Sequence, residues 1–129
     1  MSSKLGVSNP VSAGQVIGSF NASSVSDTDW HTLTSNDFYD ATSGTQFTDG
    51  LQFAFVALVS SSTSTLSYLK LRAAAGAGDG KTNTDGVIPV FGRIEVDVQA
   101  LQAGTSVTSI AYAKGAAGDS VVIIAGFNK

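Results

Sequence analysis

The sequence predicts an all-β fold: an antiparallel β-sandwich of about eight strands on a jelly-roll path. Three observations lead there. Apolar residues arrive in short runs rich in Val, Ile and Phe, as in Leu51–Val59 and Val121–Phe127. Where a run carries charge it alternates with period two: Ile94, Val96 and Val98 face one way, Arg93, Glu95 and Asp97 the other. Between the runs stand Gly, Ser, Thr, Asn and Asp, with no convincing alternation of strand and helix that would signal a parallel sheet.

Taken in order, Met1 to Gly14 lacks periodicity and holds Pro10, which reads as an extended arm; residues 15–129 form one sandwich domain. Gln15–Phe20 is a short strand with Val16, Gly18 and Phe20 on one face, and Trp30–Thr34 is a second, followed by a polar and aromatic loop, Ser35–Thr48. In Leu51–Val59, strict alternation puts Leu51, Phe53, Phe55, Ala57 and Val59 on the core face and Gln52, Ala54, Val56 and Leu58 opposite. Leu66–Arg72 also fits a helical stripe, but the scarcity of helical periodicity elsewhere favours a strand. Val87–Phe91 carries Pro89, which suits an edge or a strand start, and Arg93–Val98 follows. Val107–Tyr112 and Val121–Phe127, joined through Gly115-Ala116-Ala117-Gly118-Asp119, read as a β-hairpin. The second of these runs is apolar at every position from Val121 to Ala125, so both its faces need cover.

Composition narrows function mainly by exclusion. Hydrophobic residues make up 43% of the 129, ample for a core, whereas charged residues are 13%, about half the usual share. A surface built from uncharged polar groups suits broad contact with other proteins, because few ions lose their hydration when it is covered. The net charge is −3 and the seven basic residues are dispersed, so direct nucleic-acid binding is not expected. There is no cysteine, which removes disulfides, thiolate metal sites and cysteine catalysis. The opening residues lack the apolar stretch of a signal peptide, and no run is long enough to span a bilayer, so a soluble protein without membrane association is expected.

The motifs that suggest chemistry are thin. Ala75-Gly76-Ala77-Gly78-Asp79-Gly80-Lys81-Thr82 fits a relaxed phosphate loop, but the following residues, through Gly86 to Pro89, cannot hold the helix that such a loop opens. Asp27, Asp29 and His31 alternate as metal ligands on a strand could, against the commoner role of such aspartates in turns. Asp37 and Asp40 near Phe38 and Tyr39 could form a carboxylate pair, against the commoner capping of backbone amides. With one histidine and no cysteine, neither an enzyme nor a cofactor is expected. Trp30, Phe38, Tyr39 and Phe47 could stack on sugars if exposed, although a single Trp in a sandwich more often fills the core.

Several stretches, in order, carry a likeness: an arm leading into Gln15-Val16-Ile17-Gly18-Ser19-Phe20; Asp29-Trp30-His31-Thr32-Leu33; Leu51-Gln52-Phe53-Ala54-Phe55-Val56; a Ser/Thr-rich link into Leu66-Ser67-Tyr68-Leu69; Asp85 to Val90; and Ser109 to Gly115. This order resembles the small β-sandwich decoration, or cement, proteins of tailed-bacteriophage heads. The resemblance implies a structural protein on the capsid exterior of the virion, made in the host cytoplasm, frequently a homotrimer, whose partner is the major capsid protein. The family has no catalytic residues to carry over, so contact residues are assigned on physical grounds. Val56, Leu58, Val122 and Ile124, apolar on faces opposite the expected core, are candidates for an oligomer interface, although Ile124 could equally belong to the core. Leu5, Val7, Pro10 and Val11 in the arm are candidates for capsid contact. The alternative function is a carbohydrate-binding or tail-fibre, receptor-binding module of a phage.

Overall fold

A computed structural model describes residues 15–62, 64–71, 87–98 and 107–128. Nine strands lie in two antiparallel sheets: β1 (Gln15–Asn21), β2 (His31–Thr34), β3 (Tyr39–Asp40), β4 (Gln52–Ser60), β5 (Ser67–Lys70), β6 (Val87–Val90), β7 (Arg93–Asp97), β8 (Ser109–Ala113) and β9 (Val121–Asn128). The five-stranded sheet runs β3-β1-β9-β4-β7 and the four-stranded sheet β2-β8-β5-β6. Pairing is nested: β1 with β9, β2 with β8, β4 with β7 and β5 with β6, closed by β9 with β4 and β8 with β5. That is the path of a long hairpin rolled on itself, a jelly roll. The expected sandwich, and each of its eight expected strands, is present. The ninth, β3, is two residues in the Ser35–Thr48 loop, too short for periodicity to reveal, and follows a 3-10 turn at Ser35–Asp37. Leu66–Arg72 resolves as strand, not helix, over Ser67–Lys70.

Two expectations need correcting. The strands on either side of Gly115–Asp119 do not form a hairpin. β8 belongs to the four-stranded sheet and β9 to the five-stranded one, so the link crosses between layers about 10 Å apart. Local sequence cannot separate the two cases, since both ask for glycine and aspartate at the bend. The second correction concerns β4, whose register with β9 shifts between Phe53 and Phe55. The bulge adds a residue and exchanges the faces beyond it. Phe53, Val56 and Leu58 therefore point into the core and are fully buried, whereas Phe55, Ala57 and Val59 point outward. Val56 and Leu58 thus do not lie opposite the core, as strict alternation predicted.

The core lies between the sheets. Phe38, Phe53 and Phe127 pack at centroid distances of 4.6 to 5.8 Å, joined by Phe20, Phe47, Leu58, Leu69, Ile110, Tyr112 and Ile123. Edge and tilted geometries suit the ring quadrupoles. At one end of the sandwich the β1–β2 and β8–β9 links meet at Lys114, which is 1% exposed. Its Nζ donates to the carbonyls of Val25 at 2.6 Å, Ala117 at 3.0 Å and Ala22 at 3.3 Å. Three protons meet three acceptors, which is what allows the ammonium to be buried. Next to it, Asp119 Oδ2 accepts from Thr65 Oγ1 at 2.9 Å and from the Ala116 amide at 3.1 Å.

Lys114→Met keeps the apolar stem and removes the donors, leaving three carbonyls to find other partners. The expected loss is roughly 2–4 kcal/mol of unfolding free energy, measured by urea denaturation; an unchanged midpoint would show that the clamp contributes nothing.

Candidate functional site

Two surface features qualify as sites, and both belong to the five-stranded sheet. The first is its outer face. Register stacks its side chains in three rows: Ile17, Gly126, Phe55 and Asp97; then Ser19, Ile124, Ala57 and Glu95; then Asn21, Val122, Val59 and Arg93. Ile17, Phe55, Val122 and Ile124 are half-buried and Val59 is 40% exposed. The inward neighbours Val121, Ile123, Ala125 and Phe127 are fully buried. Phe55 lies across Gly126, where an added Cβ would stand 2.2 Å from the ring, so glycine here makes room for a side chain of the neighbouring strand. The apolar centre is flanked by Ser19 and Asn21 on one side and by exposed Arg93, Glu95 and Asp97 on the other.

Of the four expected interface residues, the structure brings Val122 and Ile124 together on this face and buries Val56 and Leu58 in the core. Ile17, Phe55 and Val59 join the face unforeseen. The only sequence signal for Phe55 and Val59 was the unbroken apolar run Phe53–Val59, which does not say where a bulge falls. Leu5, Val7, Pro10 and Val11, the arm, and the glycine-rich stretch 73–86 lie outside the described residues.

The second feature is a cleft of about 440 Å3 where β1 outruns its edge partner. β3 pairs only with Gly18 and Ser19, so the edge of β1 at Phe20 and Asn21 faces the 3-10 turn across a gap. Ser19, Asn21, Asn36, Asp37, Tyr39 and Gln46 line it together with Phe20.

The remaining candidates sort by burial and hydrogen bonding. Phe38 is fully buried in the core and Phe47 packs at 5.3 Å on Phe127, while Tyr39 is 52% exposed. Trp30 does not fill the space between the sheets. It lies on the far side of the four-stranded sheet, clustered with Ala111 and Ala113, with Tyr68 edge-on at 6.5 Å and Lys70 Nζ 5.7 Å from its ring centroid. Asp37 accepts from the Thr34 amide at 2.9 Å, and Asp40 from the amides of Thr42 at 2.7 Å and Ser43 at 3.2 Å. Asp27 pairs with His31 at 2.6 Å and also accepts from the Asp29 amide at 3.1 Å. These two bonds hold the Asp27 carboxyl below the usual carboxylate range, the histidine contributing most. Among the described residues no group of three His, Cys, Asp or Glu is placed to hold a metal ion, and no helix is long and apolar enough to cross a membrane. No family model, curated protein or solved structure matches the chain.

His31 stacks on Tyr112, with ring centroids 5.5 Å apart. The Tyr112 hydroxyl is buried and makes no hydrogen bond within the described structure. Desolvation, helped by the nearby Asp27 and Asp37 charges, pushes its pKa up to about 12 from 10.0. The folded state therefore keeps a proton that the unfolded chain releases near pH 10. Stability should fall as pH rises from about 10 to about 12 and then level off. Alkaline denaturation midpoints compared between wild type and Tyr112→Phe will check this; the same alkaline slope in both would rule it out.

Proposed function

We propose that this is a structural adhesion protein that works by protein–protein contact and carries out no chemistry, in the manner of a phage-head decoration protein on the capsid exterior. The observation that carries the reading is the outer face of the five-stranded sheet, where Ile17, Phe55, Val59, Val122 and Ile124 form one half-exposed apolar patch. Covering each such side chain contributes about 1.5–3 kcal/mol at most, and contiguous patches of this kind usually mark interfaces. The jelly roll is compatible with the reading, since the architecture recurs in viral capsid domains, but it also occurs in lectins and does not decide function. The order of sequence stretches supplies the decoration role.

The occupant proposed for the patch is a second copy of the same chain, in a homotrimer. Arg93 and Glu95 stand side by side at the β7 margin with opposite charge, so copies related by rotation can pair one with the other around an apolar centre. Five side chains are fewer than the roughly 20–30 residues a side of a standard stable interface. In this reading Leu5, Val7, Pro10 and Val11 are the proposed contacts with the major capsid protein.

The test uses native mass and binding together. Wild type should run as a trimer at micromolar concentration and bind saturably to shells lacking it. Ile124→Asp should remain folded and become monomeric, because Ile124 lies on the outer face. Ile123→Asp, one residue away in the core, should lose more than about 4 kcal/mol and fail to fold. A monomeric wild type, or an Ile124→Asp variant with unchanged native mass, would remove the proposed self-contact. Absence of saturable shell binding would remove the decoration role.

A further inference from the structure

The geometry points to a binding site for a neutral saccharide in the cleft between the β1 edge and the 3-10 turn. Several of its polar side chains are fixed at one end by their own loops and leave the other end unused. Asn21 Oδ1 accepts from the Ser23 amide at 2.9 Å, which leaves its NH2 group. Asn36 Oδ1 accepts from Thr34 Oγ1, which again leaves the NH2. Asp37 holds the Thr34 amide at 2.9 Å through Oδ2, so Oδ1 remains as an acceptor. Gln46 donates through Nε2 to the Asn36 carbonyl and keeps Oε1. Two donors and two acceptors, already oriented, thus share one cleft. Sugar hydroxyls both donate and accept, so a mixed set of planar amides and a carboxylate suits them.

The remaining requirement is an apolar platform for the C–H face of a pyranose ring, and exposed Tyr39 on the lining supplies it. Other ligand classes fit less well. No Lys or Arg lines the cleft and Asp37 brings a negative charge, which argues against phosphates and other anions. Its two aromatic side chains, Phe20 and Tyr39, stand among five polar ones, a mixture that suits a saccharide better than a lipid or drug-like hydrophobe. A volume of about 440 Å3 falls within the range of small-molecule sites and suits a short saccharide. The site adjoins the apolar patch at the margin opposite β7 but shares none of the five residues proposed for self-contact, so the two readings can fail separately.

The experiment is 15N-resolved NMR of the full chain titrated with methyl glycosides of glucose, galactose, mannose and N-acetylglucosamine at millimolar concentration. Inorganic phosphate serves as the anionic control. At least one glycoside should shift the amides of Tyr39, Asn36 and Gln46 saturably, and phosphate should not. Tyr39→Ala and Gln46→Ala, both at exposed positions, should each weaken binding by about tenfold without changing the spectrum elsewhere, while Tyr39→Phe keeps it. If no glycoside moves these resonances, if phosphate does, or if Tyr39→Ala binds as well as wild type, the inference is wrong. Native mass recorded on the same samples separates this outcome from the fate of the self-contact.

Discussion

A single added residue in β4 governs what this molecule shows to its surroundings. β4 sits between β9 and β7 in the five-stranded sheet, and its side chains alternate between core and surface. The bulge between Phe53 and Phe55 lets Phe53 on one side of it and Val56 and Leu58 on the other share the core face. Without it, Val56 and Leu58 would face outward and Phe55 inward. The outward set of Phe55, Ala57 and Val59 then meets Gly126, Ile124 and Val122 across the ladder, which is how an apolar strip comes to lie on the outside. Gly126 completes the arrangement by leaving room for the Phe55 ring.

The use of charge is equally economical. The chain has few ions, and one of them, Lys114, is buried where two inter-sheet links converge. Its three carbonyl partners come from both links, so a single ammonium joins segments about ninety residues apart in sequence. Asp37, Asp40 and Asp119 likewise hold backbone amides. In the proposed readings recognition therefore falls mainly to uncharged groups, apolar on the outer face and amide-rich and aromatic in the cleft, where Asp37 Oδ1 is the one carboxylate oxygen left over.

Much of the fold was legible because period-two alternation is a local property. The eight longer strands, the inward face of β7, and the strand character of Ser67–Lys70 all follow from it. What escaped depends on pairing between distant residues. No glycine or proline marks the bulge at Ala54, so the reversal of Val56 and Leu58 could be seen only from the register with β9. The β8–β9 turn has hairpin chemistry but crosses between sheets, a difference set by the partners of each strand and not by the turn. Trp30 is buried as expected, though on the far side of the four-stranded sheet, because sequence gives the burial of an aromatic and not its layer. The cleft was the least legible feature: it exists because β3 stops after two residues, and its polar lining comes from separate loops.

Nested pairing also has a bearing on how the chain is made. β1 borders β3 and β9, and β4 borders β7 and β9, so the strand at the centre of the five-stranded sheet is the last of these nine to be synthesised. Until β9 leaves the ribosome, β1 and β4 carry bare hydrogen-bonding edges and the core lacks Ile123 and Phe127. Among the described strands only β5 and β6 are both consecutive and paired, so nearly all of this ladder must wait for distant segments. Chains that lack β9 are therefore sticky intermediates that need shelter, and the arrival of that strand closes the interior edges in one late event.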